Sequence, residues 1–265
     1  MPDVHAGLAT LERGPQPIVT LERKLEIGQS LPVHQHQRAQ LVYASEGTMQ
    51  VSTADFCYLV PPMRAVWMPA QVKHAIEAKS QLCMSNLYIR PELLKTDEVR
   101  VQVLAITPLM KHLIDAMMAV SQDYTAQGAE ARLAAVVLDQ INDQRSIDLA
   151  LPIPDDRRLQ KVISTLIDDP SNTLSLADWA EVVGASERTL SRLFVAESGM
   201  TFGQWRQQRK LHRALELLDA GRDIGEISSA LGYQSQSAFS AMFHRVMGES
   251  PLEFRRANER SSNDS

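Results

Sequence analysis

Two stretches decide how this chain is read: SLADWAEVVGASERTLSRLF, from Ser175 to Phe194, and DIGEISSALGYQSQSAFSAMF, from Asp223 to Phe243. They repeat one pattern. Leu190, Phe194, Gly199 and Trp205 return as Phe239, Phe243, Gly248 and Phe254, each 49 residues further on. Gly184 returns as Gly232 after 48, so the second copy carries one extra residue in its turn. A fixed interval held over several positions marks a duplicated structural unit. In the first copy Leu176, Trp179, Ala180 and Val183 keep helical spacing, Gly184 ends the helix, and Ser186 caps the next one. In the second, Ile224, Ile227, Ser228 and Leu231 precede Gly232, and Ser235 caps a helix that buries Phe239, Met242 and Phe243. A short helix, a glycine turn and a longer second helix make a helix-turn-helix, whose second helix can enter a DNA major groove. Such pairs also build scaffolds and repeat arrays, so one copy alone says little about function.

The inward positions fix the outward ones. With Leu190 and Phe194 in the core, Glu187, Arg188, Ser191 and Arg192 occupy the outer face of the first recognition helix, in the two turns that reach base edges. Arg188 and Arg192 have the donors to bond a guanine O6 and N7, and Ser191 can pair with several bases. The equivalent positions of the second helix are Gln236, Ser237, Ser240 and Ala241. Basic clusters follow each recognition helix: Arg206, Arg209, Lys210 and Arg213 after the first, Arg255, Arg256 and Arg260 after the second. Their placement predicts phosphate contacts, notably by Arg206, Arg209 and Arg255. The net charge of −5 excludes a general nucleic-acid coat, and from Asp155 onward 14 basic side chains face 16 acidic ones. Binding to double-stranded DNA must therefore rest on local clusters.

The pattern Ile227-x-x-Ala230-Leu231-Gly232-Tyr233-x-Ser235-x-x-x-Phe239-x-x-x-Phe243, then Gly248-x-x-Pro251-x-x-Phe254-Arg255, resembles the signature of AraC/XylS transcription regulators. Gly199-Met200-Thr201-Phe202 with Trp205-Arg206 is similar to that family's first helix-turn-helix. The resemblance spans roughly Leu159 to Arg256. It implies a seven-helix DNA-binding domain with two recognition helices in successive major grooves, a promoter DNA partner, and RNA polymerase as a further partner. Within the family the chain resembles regulators of small transporter operons. Family members often carry a long polar or basic side chain where Ala241 stands, so the second helix is expected to position the protein more than to read bases.

Upstream the pattern changes to short β-rich runs. Ile18–Leu21, Leu41–Tyr43, Met49–Val51, Phe56–Val60, Ala65–Met68, Ala75–Ile76 and Leu82–Met84 predict a small barrel or sandwich. Gly28, His34-x-His36, Gln40 and Gly47 resemble the first cupin motif, and Pro69 with His74 the second, although Gln40 replaces the usual Glu and Gln71 a turn glycine. His34 and His36, two apart on a strand, share a face. Neutral imidazoles bind divalent transition metals such as Zn, Ni or Fe, so His34, His36 and His74, with the Gln40 carbonyl oxygen, are a candidate metal site. The same groups, with Trp67, are candidate effector contacts. A metal-dependent cupin enzyme with an accessory DNA-binding domain is the rival function, and the missing carboxylate at Gln40 counts against it.

Val99–Val120, interrupted near Pro108, and Glu130–Ile147 predict two apolar-striped helices, with Thr107 as N-cap of the part beginning at Pro108. By the resemblance they dimerise the chain. Pro152 and Pro154 in Leu149–Asp156 predict a short semi-rigid linker. The expected organisation is α+β: a cupin-like β-barrel sensor at 1–95, a helical dimerisation segment at 96–148, a linker at 149–157, and an all-α double helix-turn-helix domain at 158–258. The first 15 residues and Ser261–Ser265 are expected to be disordered. No apolar run approaches about 18 residues, so no membrane span is expected. Cys57 and Cys83 form no Cys-x-x-Cys pair, and together these features predict a reduced, cytoplasmic chain.

Overall fold

The computed structural model describes residues 14–94, 100–125, 127–142 and 146–263, with side chains described up to residue 257. The expectation for the first 15 residues falls almost wholly outside the described part, as does the Arg260 side chain. Two compact units emerge. The first is built on the strands before Thr53 and on Val60–Asp148, the second on Leu149–Ala257 together with Ala54–Leu59.

The first unit is β-rich, as expected, but its strands form two antiparallel sheets and not one closed barrel. One sheet runs β1 (Ile18–Leu25), β8 (Leu82–Ile89), β3 (Ala39–Glu46), β6 (Arg64–Met68), β9 (Gln102–Ala105) and β10 (Ser146–Ile147). The other, within this unit, places β7 (His74–Ala78) between β4 (Met49–Ser52) and β2 (Ser30–His34). Strand β3 is buried from Ala39 to Ala44, the mark of a strand covered on both faces. Two helices follow, α1 (Pro108–Met118) and α2 (Ala129–Asn142). Thr107 caps α1 by accepting the Met110 N–H at 3.2 Å, with Pro108 in the first turn. Met110, Ile114 and Met117 of α1 and Ala134, Val137 and Ile141 of α2 join Leu41, Tyr43, Trp67 and Leu87 in one core.

Two expected helical stretches are strand in part. Gln102–Ala105 pairs antiparallel with β6, Val103 opposite Val66, where a helix from Val99 was expected; residues 95–99 lie outside the described residues. Alternating Val101, Val103 and Ala105 suit a pleated surface better than a helix, which β-branched residues disfavour. The second expected helix is described over Ala129–Asn142, residues 143–145 lie outside the described residues, and Ser146–Ile147 is strand, paired with β9.

In the second unit β5 (Phe56–Val60) pairs with β11 (Ala150–Pro152) through Phe56–Tyr58. The stretch expected as a linker is thus partly a hydrogen-bonded strand. It is also fastened to the helices: Trp205 Nε1 donates to Pro152 O and His212 Nε2 to Leu149 O, each at 2.9 Å. Seven helices complete the unit: α3 (Arg157–Asp168), α4 (Leu176–Val182), α5 (Glu187–Ser198), α6 (Phe202–Asp219), α7 (Ile224–Ala230), α8 (Gln236–Met247) and α9 (Pro251–Asn263). The last continues to Asn263, past the point where a disordered tail was expected. The repeat is visible in the backbone. Gly184 and Gly232 turn at φ 66° and 69°, a left-handed geometry that glycine adopts without strain. Leu190 and Phe194 have no exposure, and neither do Phe239 and Phe243; Trp205 and Phe254 are equally deep.

Candidate DNA interface and sensor pocket

Ser186 Oγ accepts the Thr189 N–H, and Ser235 Oγ the Ala238 N–H, each at 3.2 Å, so the two recognition helices start on identical caps. On α5 the residues Glu187, Arg188, Ser191 and Arg192 are all exposed. Neither arginine has an acidic partner among the described residues. On α8 Gln236, Ser237 and Ala241 are exposed and Ser240 is half-buried. Exposed His244 and Arg245 lie further along that helix; their spacing of three and four residues from Ala241 is the signal that could have found them.

The basic cluster on α6 divides. Arg206 is half-buried, its Nη1 donating to Leu174 O at 3.3 Å and its guanidinium 5.1 Å from the Phe202 ring centroid. Arg209 is only 8% exposed, and the phosphate role expected for it is corrected. Its Nη2 donates to Ile167 O at 2.8 Å, and Nη1 stands 3.8 Å from Glu216. Burial pushes this guanidinium below its ordinary pKa while Glu216 pulls the other way. So enclosed, the side chain is committed to Ile167 O and Glu216. Arg255, on α9, is half-buried and Arg256 exposed.

In the first unit three imidazoles meet. His34 and His74 are register partners across β2 and β7, with ring centroids 4.3 Å apart. His36 lies 5.2 Å from His74 and 6.2 Å from His34. All three rings are buried, His74 to 1% exposure. Each turns Nδ1 to a backbone carbonyl: His34 to Pro32 at 2.8 Å, His74 to Val72 at 2.9 Å, and His36 to Arg38. His36 Nε2 sits 2.7 Å from Gln40 Oε1, and Gln40 Nε2 donates to Asn86 Oδ1 at 2.9 Å. Asn86 is itself tied to Leu21 O at 2.9 Å, and the Tyr88 ring stands edge-on to His36 at 5.3 Å. Sequence reading missed Asn86 and Tyr88; their period-2 spacing on the strand paired with Gln40 was the available signal.

His74 Nε2 is buried and has no hydrogen-bond partner among the described residues. Burial, reinforced by the neighbouring His34 and His36, lowers the His74 pKa to about 4 against the Val72 bond. The ring is therefore neutral near pH 7, with Nδ1–H committed to Val72 and the Nε2 lone pair unused. Gln71, where a turn glycine was expected, does adopt φ 66°. Trp67 does not belong to this pocket. It is the register partner of Leu41 and shares the helix-covered core with it, whereas Gln40, one residue away, points to the opposite face.

A chain with a buried polar cluster of histidines in a β-rich unit, and with a duplicated helix-turn-helix whose exposed arginines have no acidic partner among the described residues, has the parts of a ligand-responsive DNA-binding regulator. Comparison with known proteins agrees. A model described as "AraC-like ligand binding domain" matches residues 17–138, and one described as "Helix-turn-helix domain" matches residues 179–257. The chain is 33% identical over 222 residues to the HTH-type transcriptional regulator NimR of Escherichia coli (strain K12), covering 83% of this chain and 80% of that protein. It is 26% identical over 242 residues to the HTH-type transcriptional activator RhaR of Klebsiella pneumoniae, covering 84% and 86%. The solved structure of ToxT from Vibrio cholerae is similar at TM-score 0.38 and 11% identity, over 91% of this chain and 98% of that one. The chain belongs to the AraC family of transcription regulators. These relatives are named as regulators and not as enzymes. No helix among the described residues is long and apolar enough to cross a membrane.

Proposed function

We propose that this regulator reads promoter DNA chiefly through α5 and tunes that reading to a small molecule held by His34, His36, Gln40 and His74. The sensor reading is carried by the unpartnered Nε2 of His74. A buried acceptor left unsatisfied costs about 1–3 kcal/mol, which an effector offering an O–H or N–H donor would recover. Asn86 and Tyr88 extend the polar wall such a ligand would meet.

A second reading, one divalent transition metal such as Zn, Ni or Fe on the same histidines and Gln40, is favoured by the three Nδ1 atoms on carbonyls. That outer-shell arrangement orients ligating imidazoles. Their spacing opposes it. Tetrahedral Zn–N bonds of about 2.1 Å would set imidazole centroids about 5 Å apart, whereas His34 and His36 stand at 6.2 Å. Among the described residues no trio of His, Cys, Asp or Glu is set to hold a metal ion. Metal content close to one per chain after chelator-free purification, released by His74→Ala, would favour the metal; content near zero leaves the hydrogen-bonding pocket.

Leu109 on α1 and Val136 on α2 remain exposed at 58% and 47%, and a homodimer built on these helices would cover them. Acting at promoters, such a dimer works in the cytoplasm beside RNA polymerase. The deciding experiment is a competition between operator and shuffled duplexes with the full chain. Discrimination lost in Arg188→Ala or Arg192→Ala supports α5 as reader, and discrimination untouched by both removes it.

A further inference from the structure

Helix α6 carries its cations in two unlike settings. Arg209 and Arg213 share Glu216, at 3.8 and 2.8 Å. Arg206 and Lys210, four residues apart on the same helix, have no carboxylate within ion-pair reach among the described residues. With Arg245 of α8 they line a cleft of about 390 Å³ whose lining has no acidic side chain among the described residues. The cations are positioned without being neutralised: Lys210 Nζ lies 5.1 Å from the Tyr233 ring centroid, and Arg206 is held by Phe202 and Leu174 O. Burial, with Arg206 adding to it, pushes the Lys210 amine below its ordinary pKa, and burial pushes the Tyr233 phenol up. Ala238 and Ala241 of α8 also line the cleft, and longer side chains there would fill it. Its volume is in the range of small-ligand sites. A cleft lined by three cations, with no acidic side chain among its described lining residues, suits an anion.

We propose that this cleft is a phosphate seat, in which Arg206, Lys210 and Arg245 together hold one phosphate group and the short side chains of Ala238 and Ala241 keep it open. The proposal rests on the reading of α8 as a DNA-contacting helix, which makes the phosphate a backbone phosphodiester. It gives α8 a task that its short side chains allow. A free phosphorylated small molecule has the same chemistry, and the test separates the two sources.

The test uses the full chain and non-specific duplex DNA, so that base reading plays no part. Affinity is measured from 50 to 200 mM salt for the wild type, Lys210→Ala/Arg245→Ala, Ala241→Leu, and Arg213→Ala as the paired-cation control; pyrophosphate is titrated by calorimetry. Losing one phosphate contact lowers the salt slope by about 0.9, so the gap between wild type and variant narrows about 3.5-fold over that range. Both the double variant and Ala241→Leu, which fills the cleft without changing charge, are expected to show this, with Arg213→Ala near wild type. Micromolar pyrophosphate binding that disappears in the double variant, with the slope unchanged, would assign the seat to a soluble ligand. An unchanged slope in both variants together with no pyrophosphate binding overturns the proposal. A wild type that binds no duplex in a salt-dependent way refutes the DNA reading instead, and the pyrophosphate titration then decides the seat alone. Unfolding midpoints equal to wild type exclude a folding defect.

Discussion

Arg209→Ala is the substitution on which a surface role and a core role differ most. The guanidinium donates to Ile167 O in the last turn of α3, where a cation also meets the negative end of the helix dipole. Removing a charge-assisted hydrogen bond of this kind costs about 1.5–3 kcal/mol. The Glu216 contact at 3.8 Å is long and adds less than about 1 kcal/mol. Against these stand the buried, unpartnered Nε and the desolvation already borne by the charge, both relieved by alanine. A net loss of about 2 kcal/mol remains, which lowers the melting midpoint of a unit this size by about 8 °C. The assay is thermal unfolding followed by tryptophan fluorescence, since Trp179 and Trp205 both lie in the core beside α3. At a temperature where the variant is folded, its salt slope on DNA is expected to match wild type. An unchanged midpoint with a slope lowered by about one unit would refute the core assignment and return Arg209 to the phosphate surface.

Arg192→Ala is expected to weaken operator binding by about 1–3 kcal/mol and to relax preference at one base position, and Ser240→Ala to cost less, as a competition assay will show. Stability is expected to fall as the solution is acidified. The pKa values of His74 and His212 are both lowered to about 4, by burial first, so the unfolded chain takes up protons below about 6.5 that the native state refuses. That stability is present above pH 6.5 and is lost as pH falls toward 4, at about 2 kcal/mol for each histidine by pH 5. Urea unfolding of His74→Asn and His212→Asn at pH 7 and pH 5 checks it, because each variant should flatten the profile by its own share. Leu109→Glu with Val136→Glu should shift a dimer toward the 29.5 kDa monomer in sedimentation, whereas a wild type that is already monomeric removes the dimer.

What could be read from sequence was what is local. The helix-turn-helix copies announce themselves through spacing of apolar residues, capping serines and turn glycines, all set within a few residues of one another. The histidine site was half legible for the same reason: His34 and His36 are neighbours, while Asn86 depends on a β3–β8 register that no local signal fixes. Trp67 failed on parity. One residue of register decides whether a strand side chain enters the pocket or the helix-covered core, and its pairing with Leu41 puts it in the core. Arg209 failed because a basic residue on a helix reads alike whether it meets solvent or the end of a helix 42 positions earlier in the chain. The linker failed in a more instructive way. Its prolines do favour extended backbone, but Trp205 and His212, seven residues apart on α6, bond the carbonyls of Pro152, the last residue of β11, and Leu149, the residue just before that strand. Two turns of helix advance about 10.5 Å and three strand residues about 10 Å, so the two donors match the two acceptors in spacing. That match ties the strand to the helix preceding the second helix-turn-helix, and α6 is also the helix that carries Arg206 and Lys210, which have no ionic partner among the described residues.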